Sequence, residues 1–438
     1  MSDRSLRWIP FACFLLIGPG GESAAGEEAA AARPPVTLRT AIAAALAQSP
    51  EAAVARANAD EAAASARLAE AGFRPEAYAR STPGYSTGLP VLVAGQVPAV
   101  FGVALRSALY DPSRRTSALG ARASAAGREA AADRVAEQTA RAVVLAYGRN
   151  WASSALIEAA RHGVEAREAI FRRAVGLRSE GRATDLDVQA AGLEVARAKQ
   201  RLLDRTVQTD LDQFELKRLL DWPAGEPLFL AEDPLIAFPA PRASENLAAA
   251  RARDPEVRAI DREIEALDRA ARIQGRLFQP VVQAEAQYLR LASFNNFDQY
   301  FVKFKPDNFS VAVSISVPLW TGGRTAEASA AARARLARAE ASHRARAREI
   351  ELEVLRSEGE LARAGARHAV AMSGTGYATE RLRVARALAA EGRAEANEVD
   401  LAEFALGLAR EDEMSAEQGV LAARVALAAL RGDLPLGN

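Results

Sequence analysis

Cysteine is almost absent from this chain: Cys13 is the only one in 438 residues, and it lies in an N-terminal apolar run. Past that run there is no thiol, which excludes a disulfide framework, a Cys-ligated metal and a Cys nucleophile together. Net charge is absent too, with 56 basic residues against 56 acidic. A nucleic-acid-binding surface carries a basic excess, so no nucleic-acid partner is expected. Aromatic residues make up 6%, too few for a thick globular core. The three histidines, His162, His343 and His368, stand singly in helical stretches rather than at metal-ligand spacing. No metal site and no cofactor is expected from them. G-x-x-x-x-G-K-[ST] does not occur, and an enzyme is not expected.

Long apolar runs are missing as well. The one short run, "WIPFACFLLI" (Trp8–Ile17), follows Arg4 and Arg7 and ends at Gly18. With the small residues Ser23, Ala24 and Ala25 behind it, residues 1–25 read as a secretory signal peptide, because a membrane-spanning helix needs roughly 20 apolar residues. Cys13 lies inside the run rather than at the cleavage point, so lipidation is not expected.

What the chain has in abundance is Ala, Glu and Arg, the composition of long helices, and it has much of it twice. "EGRATDLDV" at Glu180 answers "EGRAEANEV" at Glu391. "SPEAAVARA" at Ser49 answers "DPEVRAIDR" at Asp254, "FRPEAYA" at Phe73 answers "FQPVVQA" at Phe278, and "LYDPSRRT" at Leu109 answers "LWTGGRT" at Leu319. The offset grows only slightly along the chain, as a tandem duplication leaves it, and internal repeats decide architecture. The expected division is a first repeat over 36–220, a Pro-rich connector over 221–242 and a second repeat over 243–430. Each repeat opens with a helix of about 25 residues, within which Ser49-Pro50-Glu51 or Asp254-Pro255-Glu256 marks a helix start. A β region follows. Then comes a long Pro-free helix, Arg114–Arg178 or Arg324–Ala390, on the order of 100 Å at 1.5 Å per residue. A return helix closes each repeat, Asp185–Leu220 or Asn397–Leu430. Leu203, Val207, Leu211 and Phe214 recur at coiled-coil steps.

The β regions alternate. Phe309, Val311, Val313, Ile315, Val317 and Leu319 fall on one face of a strand, and Ser310, Ala312, Ser314 and Ser316 on the other. In its expected partner, Val281–Ala292, Gln283, Glu285 and Gln287 share a face. Val100–Tyr110 alternates as well, while Pro83 interrupts Tyr78–Gly88. A soluble sandwich shows the same alternation. Ten-residue apolar/polar strands are also the mark of a transmembrane barrel, apolar to lipid and polar to a lumen. The aromatic-dense segment Ser293–Phe309 between two of the strands suits a membrane interface. Four strands cannot close a barrel and an open edge cannot stand in lipid, so three copies with twelve strands are expected.

With "TLRTAIAAALAQSPEAAVARA" (Thr37–Ala57), the "VPLWTGGR" corner (Val317–Arg324) and the paired Gly tips, the chain resembles the TolC-like outer-membrane efflux family over about Val36–Leu430. The resemblance implies a mainly α fold with a transmembrane β-barrel, a homotrimer of coiled-coil hairpins forming an α-barrel below it, and an outer-membrane location in lipid. It also implies a passive exit duct of a tripartite efflux or type I secretion system, working with a periplasmic adaptor (a membrane fusion protein) and an inner-membrane pump or secretion transporter. Glu180, Gly181, Arg182, Glu391, Gly392 and Arg393 fall where the family's tips dock the adaptor; their charged flanks depart from the apolar family pattern. Glu398, six after Gly392, falls where an acidic ring narrows the family's periplasmic mouth, and Asp187 stands six after Gly181; the family's second acidic position is Leu401 here, which leaves Asp400 a candidate by neighbourhood. The competing reading is a soluble periplasmic coiled-coil scaffold or adaptor.

Overall fold

The computed structural model describes residues 35–82, 99–223, 225–237, 246–276, 278–291, 307–393 and 396–435. The expected signal peptide, the aromatic segment 293–306 and the second part of the Tyr78–Gly88 stretch lie outside these residues.

Helices α1 (Leu38–Gln48) and α2 (Pro50–Ala71) open the first half. The break between them is a chemical one: the Ser49 hydroxyl accepts from the Ala52 amide at 3.2 Å, and Pro50 has no N–H to continue α1. Strands β1 (Glu76–Thr82) and β2 (Ala99–Tyr110) follow. Asp111 then caps α3 (Pro112–Ser179), accepting from the amides of Ser113 and Arg114, and α4 (Asp185–Leu219) returns. The connector holds a single turn, α5 (Pro234–Ala237). The second half runs α6 (Asn246–Arg253), α7 (Pro255–Gln274), β3 (Val281–Leu291), β4 (Asp307–Ser316), α8 (Arg324–Ala390) and α9 (Ala396–Arg431). Asp254 and Pro255 divide α6 from α7 as Ser49 and Pro50 divide α1 from α2. The single opening helix expected in each half is therefore two.

The sheet is antiparallel in the order β1-β2-β3-β4, so β1 and β4 are its edges among the described residues. β4 stops at Ser316, which corrects the expected strand. Pro318 cannot donate to a ladder and holds Val317 away from further pairing, so Val317 and Leu319 lie in the corner that leads to α8. Gly322 and Gly323 turn that corner with φ of 61° and 85°.

Helix α3 is the spine. It packs with α2 along one part and α4 along another, and with α7 and α9 on its other flank; α8 packs on α7 and α9. The main core lies where these layers meet the connector. Ile42, Ala45, Val143, Val144, Tyr147, Leu216, Leu421 and Val425 are all buried there. Tyr147 is fully buried, which is tolerable because its hydroxyl donates to the Val36 carbonyl at 3.0 Å and accepts from the amides of Ala231 and Glu232 at 3.2 and 3.3 Å. Val36 is itself bridged to Leu230. One phenol thus ties the start of the described chain, the connector and the spine together.

Candidate functional site

Two places carry the residues singled out above: the hairpin tips and the faces of the sheet.

Each long hairpin turns by the same backbone device. At the first tip the Gly181 amide donates to the Arg178 carbonyl and the Arg182 amide to the Leu177 carbonyl; at the second, Gly392 donates to Ala389 and Arg393 to Leu388. This pairing satisfies the last carbonyls of a helix and needs a left-handed residue between them. Gly181 and Gly392 supply it with φ of 70° and 69°. The flanking charges are turned on each other, Glu180 with Arg182 at 3.3 Å and Glu391 with Arg393 at 3.1 Å, and all four side chains are exposed.

The three acids expected at the mouth have different surroundings. Asp187 completes the cap of α4: its carboxylate accepts from the Thr184 amide at 2.8 Å while the Thr184 hydroxyl accepts from the Asp187 amide. Hydrogen bonds from the Thr184 hydroxyl and amide hold this carboxyl below its ordinary range. Asp400, on α9, faces Arg173 of α3 at 2.8 Å, so it joins the two hairpins about two helical turns above their tips. Its side chain is mostly buried. Glu398, in the first turn of α9, is exposed and has no ion-pair partner among the described residues. Sequence spacing alone did not point to Arg173, because the contact joins the two repeats.

Above these pairs the hairpins are held by an aromatic contact. Arg167 of α3 lies 3.9 Å over the Phe404 ring of α9, and Arg201 of α4 lies 5.3 Å from it. Farther along the spine, Arg346 of α8 is nearly enclosed by acids: Asp254 at 2.8 Å, Glu349 at 2.8 Å, Glu353 at 3.3 Å and Glu256 at 3.4 Å. Burial alone would depress the guanidinium, but hydrogen bonds to Asp254 and Glu349 outweigh it and raise it above its ordinary value.

The sheet register sorts the strand residues onto two faces. Val282, Ala284, Ala286 and Tyr288 of β3 pair with Ile315, Val313, Val311 and Phe309 of β4, and with Val103 and Leu105 of β2 opposite Tyr288 and Ala286. This apolar face is open: Phe309, Val311, Val313 and Ile315 are each more than 60% exposed. On the other face Gln283 pairs with Ser314, Glu285 with Ala312, Gln287 with Ser310, and Val281 with Ser316. Arg106 of β2 reaches Glu285 at 3.0 Å on that face, with its guanidinium 5.2 Å from the Tyr78 ring. Where β3 and β4 approach the undescribed segment, Asp307 accepts from the Tyr288 hydroxyl at 2.6 Å and pairs with Arg290 at 3.2 Å.

A sheet with one bare apolar face, carried on hairpins that are about 100 Å long, matches known proteins in two ways. Residues 246–433 match the family model for outer membrane efflux protein. Solved outer-membrane channels share the fold over about nine-tenths of the chain. The outer membrane protein VceC of Vibrio cholerae superposes with a TM-score of 0.69 at 19% identity, covering 90% of this chain and 96% of VceC. CusC, whose structures concern folding and transmembrane channel formation, gives 0.71 at 16% identity, covering 90% of this chain and 91% of its own. The open state of the MtrE outer membrane channel of Neisseria gonorrhoeae gives 0.62 at 17% identity, covering 90% and 88%. At these identities the likeness is one of fold. Among curated proteins no sequence match is found. None of the described helices is long and apolar enough to cross a membrane.

Proposed function

We propose that this chain is the outer-membrane exit duct of a tripartite efflux or type I secretion system. The observation that carries the reading is the open apolar face of the sheet, bounded by two edge strands. Edges β1 and β4 cannot stay unpaired in lipid. Three copies, with β4 of each beside β1 of the next, close a twelve-stranded barrel whose apolar face meets lipid and whose Gln283, Glu285, Gln287, Ser314 and Ser316 face water. The helical layers extend the same arrangement. α4 exposes the stripe Leu203, Val207, Leu211 and Phe214 at one side of the spine, and α8 exposes Leu352, Leu355, Val370 and Tyr377 at the other. Side-by-side copies cover both stripes in a twelve-helix tube. Each chain is then one third of the duct, its two halves descended from a duplicated hairpin. A soluble periplasmic scaffold fits this surface poorly, because contiguous exposed apolar faces of this size mark an interaction or membrane surface.

The duct does no chemistry. It gives passive passage, driven by an inner-membrane pump or secretion transporter, and its regulated element is the mouth formed by the tips. Glu398, exposed and unpaired, is the candidate ring carboxylate, with Asp187 beside the neighbouring tip. A ring of three carboxylates in a narrow pore favours cations. Asp400 acts through Arg173 as a tie between hairpins that must part when the tips splay. The adaptor docks on Glu180–Arg182 and Glu391–Arg393, and because each Glu is already paired with its own Arg, the backbone turn as much as charge is what those tips present.

Planar-bilayer recording of the purified protein tests the reading. Discrete conductance steps are expected, cation-selective in the parent and less so in Glu398→Gln. Absence of any conductance from correctly inserted protein contradicts the duct.

A further inference from the structure

One cluster lies apart from the tips and the sheet, within the second hairpin at the level of the connector. His368 of α8 faces Glu413 and Glu417 of α9, and a ligand atom from each lies within 4.8 Å of the other two. The His368 Nε2 is 3.6 Å from a Glu417 oxygen. That nitrogen is buried and makes no hydrogen bond. Glu413 and Glu417 are one helical step apart, so both carboxylates fall on the face of α9 that α8 covers. In a chain where most acids have an arginine beside them, neither of these two is paired with an Arg or Lys among the described residues. We infer that His368, Glu413 and Glu417 bind one divalent transition-metal cation of the zinc class between α8 and α9.

Three observations support this. Ligands about 2.0–2.2 Å from one ion stand roughly 3.3 Å apart around a tetrahedron. The His368–Glu417 separation is already close to that, and a small closure of side chains brings Glu413 in. One imidazole and two carboxylates with a remaining open position is a donor set that zinc accepts. The site is also short of positive charge: two carboxylates face each other across it, and no Arg or Lys pairs with either among the described residues, so a dication answers both. The ligands come from two helices, which is why reading His368 for local spacing found nothing.

The test uses the full chain purified in detergent, with Zn²⁺ followed by calorimetry and Co²⁺ by its visible absorption. One ion per chain is expected, with a tetrahedral cobalt spectrum. Loss of one ligand should weaken binding by at least the roughly 10–100-fold that removal of a supporting partner costs, so His368→Ala and Glu417→Gln should each abolish the cobalt band. Circular dichroism establishes that each variant is folded. Failure of the parent to bind either ion, or binding unchanged in both folded variants, overturns the assignment. All three ligands belong to one hairpin, so the result does not depend on whether the duct reading holds.

Discussion

Single residues set the ends of the helices and the joints between layers. Gly181→Ala puts a Cβ at φ 70° and should cost about 1–2 kcal/mol, spent locally at the tip. Hydrogen exchange at residues 177–184 should quicken while the core at Tyr147 stays protected. Tyr147→Phe keeps the packing but strips a partner from the Val36 carbonyl and the amides of Ala231 and Glu232. A loss of about 1–3 kcal/mol is expected, read as a lower thermal midpoint, with the connector opening first to protease. Two carboxyls give opposite pH signatures. Burial, with Asp254 and Asp133 adding to it, raises Glu137, so its ionisation opposes folding at neutral pH. Glu137→Gln should therefore raise the melting temperature near pH 7, and the gain should vanish only below the unfolded carboxyl value of about 4.3, where the parent residue is protonated in both states. Asp187 is held low by Thr184, so its capping contribution is present above the unfolded value of about 3.9. It is lost only as pH falls below that through the lower folded value. The cap should thus survive mild acid.

Among the elements, the helices were the most legible in sequence and the contacts between them the least. The bounds of α8 follow from the TGGR corner at one end and the Glu-Gly-Arg turn at the other, because both are local backbone signals. Ser49-Pro50 and Asp254-Pro255 were legible as starts, but the break on their N-terminal side was not: a cap reads the same whether a helix or a loop precedes it. The strand Phe309–Leu319 was read from alternation alone, and Pro318 ends it earlier. At the candidate mouth, Glu398 could be located by position. The surroundings of Asp187 and Asp400 could not, since a capping acid and an inter-hairpin acid look alike until Thr184 and Arg173 are placed beside them. Two predictions belong here. Val313→Arg on β4 should cost about 2–4 kcal/mol if it lies at the middle of the bilayer and should deplete the protein from the outer-membrane fraction, while Ser314→Arg, one position on and facing the other way, should assemble normally. Arg173→Ala frees Asp400 from its only described partner and should lower the barrier to splaying, seen as longer open times in bilayer recordings.

For the whole molecule, the chain by itself is unfinished. Among the described residues β1 and β4 are bare edges, one face of the sheet is apolar and open, and the outward stripes of α4 and α8 are exposed. In the proposed trimer the two edges and the two stripes are covered by neighbouring copies, and the apolar face of the sheet by lipid. Residues 246–433 match the outer membrane efflux protein model, and about nine-tenths of the chain shares its fold with solved outer-membrane channels. The most direct measurement is the mass of the native species in outer-membrane extracts, run in mild detergent with and without boiling. The account predicts a heat-labile species of three chain masses, confined to the membrane fraction. A monomer or dimer in the soluble fraction would contradict it.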